Sequence, residues 1–262
     1  MTVLTQHAPG TFCWPELLTT DQNAAKKFYT SQFGWKTNDI PLGPDAVYTI
    51  FQKNGKDLAA LWKLSPDQTK KMGMPPNWNP YVAVTSADQS AAKAKQLGGT
   101  VLVEPMDVMD KGRMAAIKDP TGAAFSIWQA KSSIGASVLD ETGALCWTEL
   151  MTPDTAKAKS FYSDLIGWKS EVMPMPTGEY TVFKRTGGAN AGGMMKMPDT
   201  MKGVPPHWLS YFQVEDAKAT VASSEKGGAR TLVPPTSIPN IGTFAVLADP
   251  QGAAFGILQP PR

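Results

Sequence analysis

Residues 10–36 read GTFCWPELLTTDQNAAKKFYTSQFGWK, and residues 143–169 read GALCWTELMTPDTAKAKSFYSDLIGWK. The two stretches align without a gap at an offset of 133 residues. Further along, PPNWNPYVAV (75–84) matches PPHWLSYFQV (205–214) and DPTGAAFSIWQ (119–129) matches DPQGAAFGILQ (249–259), both at an offset of 130, so the copies differ by short loop deletions. A period this long signals tandem domains, because solenoid repeats run to roughly 20–50 residues. A chain of 262 residues also suits two domains of ordinary size. The sequence therefore divides into a module at 1–130, a polar Ser- and Gly-containing linker KSSIGASVLDETG at 131–143, and a second module at 144–262.

A fainter echo lies inside the first module, DQNAAK at 21–26 and DQSAAK at 88–93. Each follows a short apolar strand and opens a helix. In the first helix Ala24, Ala25, Phe28, Tyr29 and Phe33 fall on one buried stripe, and Gly34 suits a left-handed C-cap. Its counterpart in the second module is expected to start at Thr152 and Pro153, an N-cap followed by proline at the first helical position, and to end at Gly167. Three strand-like runs follow the first helix: GWKTND from 34, VYTIFQK from 47 and LAALWKL from 58. The echo repeats the order with YVAVT, a helix near 88–97, TVLVEPMDVM, GRMAAIK and AAFSIWQ. The pattern is βαβββ written four times. Grouped antiparallel strands with segregated helices give an α+β class, since a parallel sheet needs strict βα alternation.

Hydrophobic residues make up 42% of the chain and charged residues 18%, which supports a sizeable core and excludes a disordered polymer. Acids and bases are interspersed with a formal net charge of +2, so there is no basic stripe to neutralise phosphates, and nucleic acid is not expected as a partner. No apolar run reaches the ~18 residues of a membrane span, and MTVLTQHAPG lacks the regions of a secretory signal. The reading is a cytoplasmic protein with no membrane partner. The two cysteines, Cys13 and Cys146, hold the same place in the two copies and read as packed free thiols rather than a disulfide framework.

With FY in helix one, GW opening the second strand and DPxG before the last, in the same order in both halves, the sequence resembles the vicinal oxygen chelate superfamily of glyoxalase I, extradiol dioxygenases and bleomycin and fosfomycin resistance proteins. The resemblance covers nearly all of 10–129 and 143–259. It implies that paired βαβββ units curl into an eight-stranded, cup-shaped mixed sheet with helices outside, and that the cup holds the ligand. Metal-dependent members draw ligands from the first, fifth and last strands, usually His, Gln or Glu. Those positions fall here on Trp14, Asn79 and Ser126 in the first module and on Trp147, Leu209 and Gly256 in the second. None is a good ligand for a divalent metal, and the chain has only two histidines, His7 and His207. The expectation is therefore no metal and no other cofactor.

Strand alternation puts Trp14 with Glu16, and Trp147 with Glu149, on one face, which the alignment makes the cup interior. Tyr81 and Tyr211 lie two residues from the fifth-strand positions and Trp128 two from the last-strand position, so rings could surround a stacking cavity or simply fill it. His207, in a Pro-flanked segment, is a further ligand-contact candidate. Burial would push the carboxyl groups of Glu16 and Glu149 towards neutrality as general acids or bases unless a partner intervenes; Lys63, Lys196 and Arg113 are the candidate partners, and Thr243 standing opposite Arg113 in the repeat argues that the cups differ. The methionine-rich GGMMKMPDTM (192–201) suits an adaptable lining, and the PPNW and PPHW loops are candidate lids. Two functions follow. One is a metal-free binder of an apolar or aromatic small molecule, of the sequestering or resistance kind; the other is a metal-independent lyase, isomerase or oxygenase-like enzyme using Glu16 or Glu149. A monomer or a homodimer fits either.

Overall fold

The structure is a computed structural model that describes residues 3–44, 46–70, 74–175 and 178–261. The first module runs β1 (Phe12–Thr19), α1 (Gln22–Phe33), β2 (Lys36–Gly43), β3 (Ala46–Lys53), β4 (Lys56–Lys63), a short α2 (Pro66–Lys70), β5 (Asn77–Ala83), α3 (Ala87–Gln96), β6 (Thr100–Val108), β7 (Gly112–Lys118) and β8 (Ala124–Ala130). The second repeats it as β9 (Leu145–Thr152), α4 (Thr155–Ile166), β10 (Lys169–Met175), β11 (Gly178–Lys184), β12 (Asn190–Lys196), one 3₁₀ turn, β13 (His207–Gln213), α5 (Ala217–Lys226), β14 (Arg230–Ile238), β15 (Gly242–Ala248) and β16 (Ala254–Gln259). The class is α+β, with βαβββ units paired into a curled sheet in each module.

The helices are placed by side-chain caps. Asp21 accepts from the Ala24 N–H at 3.0 Å to start α1, and Gly34, at φ 67°, ends it with its N–H on the Thr30 carbonyl. In the second module the cap is Asp154, bonded to the Lys157 N–H at 2.9 Å, rather than Thr152. Thr152 still belongs to β9, where its hydroxyl receives the Asp154 N–H at 3.3 Å. The helix therefore begins two residues later than expected, because the carboxylate is the better acceptor at that turn.

Each module forms an eight-stranded sheet, in the order β2-β3-β4-β1-β5-β8-β7-β6 and its repeat β10-β11-β12-β9-β13-β16-β15-β14. Strand β1 lies parallel to β4 and antiparallel to β5, which in turn lies parallel to β8. Both βαβββ units of a cup thus come from one module. The modules instead share their cores. Leu17, Phe28, Tyr29, Phe33, Trp35 and Trp78 of the first pack with Phe212, Phe255 and Ile257 of the second, and a reciprocal cluster joins Phe161, Tyr162, Trp168 and Trp208 to Phe125 and Ile127.

The repeated motifs meet across this seam. The Tyr29 hydroxyl donates to Asp249 Oδ2 at 3.0 Å and accepts from Trp78 Nε1 at 2.9 Å; Tyr162 does the same with Asp119 at 2.9 Å and Trp208 at 2.8 Å. Trp35 Nε1 donates to the Gly143 carbonyl at 2.8 Å and Trp168 Nε1 to that of Gly10 at 2.9 Å, so the last tryptophan of each opening stretch binds the first glycine of the other. The other Asp119 oxygen collects the N–H groups of Thr121, Gly122 and Ala123, which folds the DPTG turn. Trp78 and Trp208 are buried in these cores and Pro206 faces Gly122, so the PPNW and PPHW segments pack into the seam rather than forming lids over the cups. Residues 131–143 are no free tether either. Ala136 and Val138 are buried, and the Ala136 N–H bonds the Cys13 carbonyl at 2.7 Å.

Candidate functional site

The concave face of the first sheet is read directly from its register. Trp14 lies opposite Tyr81 and Glu16 opposite Asn79 across β1 and β5; Glu16 is flanked by Ala60 of β4, and Tyr81 by Ser126 of β8. Met114 and Trp128 pair across β7 and β8 on the same face. In the second sheet Trp147 lies opposite Tyr211, Glu149 opposite Leu209 and beside Gly193, and Tyr211 beside Gly256. All the sequence-derived candidates of each cup therefore share one face.

Two hydrogen-bond chains converge on Glu16. Trp14 Nε1 donates to the Tyr48 hydroxyl at 3.1 Å, which donates to Glu16 Oε1 at 2.8 Å. Asn79 Nδ2 donates to Ser126 Oγ at 2.9 Å, Ser126 hydrogen-bonds Tyr81, and the Tyr81 hydroxyl donates to Glu16 Oε2 at 2.9 Å. Glu16 is only 9% exposed, and burial raises its pKa above the ordinary glutamate value while the Tyr48 and Tyr81 donors pull the other way. The same Glu16 charge, after burial, holds both tyrosines well above the usual phenol range.

The second cup repeats the first chain. Trp147 Nε1 donates to the Tyr180 hydroxyl at 2.8 Å; Tyr180 hydrogen-bonds Glu149, and the Tyr211 hydroxyl donates to Glu149 Oε1 at 3.2 Å. Burial again raises the carboxyl pKa. The Asn–Ser chain is lost here, because Leu209 and Gly256 stand at its positions. Gly256 has a packing reason: a Cβ there would lie 2.2 Å from the Tyr211 ring. The cups are thus alike in the Trp–Tyr–Glu–Tyr device and unlike in the polarity behind it.

Tyr48 and Tyr180 are the residues that reading the sequence missed, although VYTIFQK and EYTVFKR carry the tyrosine in both copies. Trp128 Nε1 is fixed by the Ser133 carbonyl at 3.0 Å, and its ring meets Tyr81 edge-on at 6.3 Å. Ser126 is 1% exposed and reaches the cup through Asn79 and Tyr81. His207 opens β13 rather than lying in a loop, with the parity of Leu209 and Tyr211; its Nδ1 bonds the Pro205 carbonyl at 2.9 Å, and burial lowers its pKa. Arg113 faces away from Glu16 and forks onto Asp88 at 2.7 and 2.8 Å. Lys63 and Lys196 pair with Thr19 and Thr152, the parity opposite to Glu16 and Glu149. Both cysteines are free, and burial pushes the Cys13 thiol up to about 12, which removes it as a nucleophile. Met194 is buried in the core and Met195 pairs with Tyr180 in the second cup, so GGMMK is a strand of the sheet.

For a divalent metal the donor chemistry is poor. The strand positions offer indole, amide, hydroxyl, leucine and glycine, and each glutamate is already held by two phenols. Among the described residues no three His, Cys, Asp or Glu side chains cluster to hold an ion.

A pair of curled βαβββ sheets, each with a concave face lined by rings and one carboxylate, defines a glyoxalase-like class of protein. The chain belongs to the Glyoxalase/Bleomycin resistance protein/Dioxygenase superfamily, whose profile matches residues 11–127 and 144–257. It is 44% identical over 256 residues to CFP32 of Mycobacterium tuberculosis, a protein given the name of a glyoxylase, covering 97% of each chain. It is 33% identical over 268 residues to the anthracycline biosynthesis protein DauV of Streptomyces sp. strain C5, covering 98% of this chain and 95% of that one. Among solved structures it resembles the Mn(II)-bound glyoxalase from Novosphingobium aromaticivorans with a TM-score of 0.64 at 16% identity, over 96% of this chain and 82% of that one. It resembles a catechol 2,3-dioxygenase with a TM-score of 0.64 at 11% identity, over 98% and 90%. These likenesses to solved structures establish the fold. No helix among the described residues is long and apolar enough to cross a membrane.

Proposed function

We propose that this chain binds an apolar or aromatic small molecule on the concave faces of its sheets without using a divalent metal. One observation carries the reading: at the first-strand position each module places an indole, a side chain with no donor atom for a divalent metal, and its N–H donates to a tyrosine. An indole fixed by its polar edge is a preformed stacking surface, which binds flat molecules at little ordering cost. The name of DauV, an anthracycline biosynthesis protein, agrees with a polycyclic aromatic ligand. The test is a tryptophan-fluorescence titration against a panel of flat aromatic and electrophilic metabolites. Saturable quenching that is weakened by Trp14→Ala or Trp147→Ala supports the reading; no saturable response from any member contradicts it.

The second reading is a metal-independent lyase, isomerase or oxygenase-like enzyme in which Glu16 or Glu149 moves a proton. The raised carboxyl pKa values, with phenol donors on both oxygens, favour it. Turnover of a bound compound that Glu16→Gln or Glu149→Gln abolishes, with binding retained, selects this reading over simple sequestration.

A further inference from the structure

We propose that the ligand of these cups is cationic, an aromatic or aliphatic ammonium whose charge sits against Glu16 and Glu149. The inference rests on the reading of the cups as binding sites and adds the charge of what they bind.

Both carboxylates are enclosed on faces that supply no counter-charge. Facing Glu16 are Tyr48 from β3, Ala60 from β4, Asn79 and Tyr81 from β5, and Ser126 from β8, with Trp14 on its own strand. Facing Glu149 are Tyr180 from β11, Gly193 from β12, Leu209 and Tyr211 from β13, and Gly256 beyond them. His207, at the strand end, is engaged through Nδ1 by the Pro205 carbonyl, and burial favours its neutral form. Among the described residues Lys26 pairs with Asp39, Arg113 with Asp88 and Asp107, Lys131 with Asp107 and Lys184 with Glu171. No Lys, Arg or His pairs with either glutamate among the described residues.

A carboxylate buried without a cation is costly, and two O–H donors offset only part of that cost. What surrounds it is a set of aromatic rings. Tyr48 lies 6.4 Å from Trp62, Tyr81 lies 6.3 Å from Trp128, and Tyr211 lies 6.4 Å from Phe244. Aromatic rings thus share the face of each carboxylate, the tyrosines turning their hydroxyl edges to it, and a cation seated among them would be attracted by ring quadrupoles as well as by the charge. An anion would meet repulsion from the carboxylate, and the hydroxyls of Tyr48, Tyr81 and Tyr211 and the indole N–H groups of Trp14 and Trp147 already donate to Glu16, Glu149, Tyr48 and Tyr180. A neutral ring would leave each carboxylate as costly as before.

The test compares two flat molecules of nearly one shape, N-methylquinolinium and 1-methylnaphthalene, by equilibrium dialysis against the full-length chain. The cation is expected to bind at least ~10-fold tighter. Its affinity should rise with pH above the ordinary glutamate value of 4.5, as the carboxyl groups lose protons, while that of the hydrocarbon stays flat. Glu16→Gln and Glu149→Gln should each remove one cation site and so lower the preference for the cation over the hydrocarbon. Equal or tighter binding of 1-methylnaphthalene by the wild-type chain would overturn the charge assignment while leaving an aromatic-binding cup intact, and that comparison needs no variant to fold. Binding of neither compound would overturn both.

Discussion

At the scale of single residues the decisive pairing is Trp14 with Glu16, and Trp147 with Glu149. Alternation along a strand made the shared face legible from sequence, because a period of two leaves no freedom once the strand is assigned. What alternation cannot reach is the partner 32 residues away: Tyr48 meets Glu16 only because β3 and β4 fold back beside β1. Arg113, a candidate partner whose facing the sequence left open, is settled by register, which turns it towards Asp88. The raised carboxyl pKa of Glu16 makes a pH prediction with a definite sign. A carboxyl whose folded value exceeds its unfolded one contributes stability that is fully present below about 4.5 and is lost as pH rises through the folded value. Thermal melts from acid to neutral pH should therefore show the wild type losing more stability than Glu16→Gln; identical pH slopes would refute the buried carboxyl. Tyr48→Phe removes a donor from the ionised form and an acceptor from Trp14, so it should cost about 1–3 kcal/mol by urea denaturation, more at neutral than at acid pH.

Among the elements, the caps, turns and strand order were readable because each is written locally and then repeated. Asp21, Ser86, Asp154 and Asp216 each close the first turn of a helix. The linker was not readable in this way. Its Ser and Gly content suggests a free tether, yet Gly135, at φ 94°, lays its backbone on β1 so closely that a Cβ would sit 2.5 Å from the Cys13 carbonyl oxygen. The seam between modules was equally hidden, since FY and DPxG mark the family in each half without saying that each tyrosine serves the other half's aspartate. Tyr29→Phe leaves Trp78 Nε1 and Asp249 Oδ2 without their bonds in a buried site, which should cost about 1–3 kcal/mol in denaturant midpoint analysis. Tyr162→Phe should cost as much, and the two should add to within ~0.5 kcal/mol, because they lie in different core clusters. A loss below measurement for both would show that the seam is not held by these bonds.

For the whole molecule, a duplicated sequence has become one body with two curled sheets and two shared cores. Both halves contribute aromatic rings to each core, so a module alone would expose the partner face of Phe28, Tyr29, Trp35 and Trp78 or of their repeats. Residues 1–130 and 144–262 made separately should be unfolded or aggregated and should regain structure when mixed, as followed by near-ultraviolet circular dichroism. Cooperative unfolding of either half alone would contradict this. The same architecture leaves the concave faces outside the two shared cores. Its functional claim is that rings and a carboxylate do what an ion does in metal-dependent relatives. The direct measurement is a ligand titration on protein stripped by chelator and assayed for bound iron, manganese, zinc and nickel. The account predicts saturable aromatic binding of undiminished affinity in the stripped protein; binding that vanishes on chelation and returns with one stoichiometric metal per cup would contradict it.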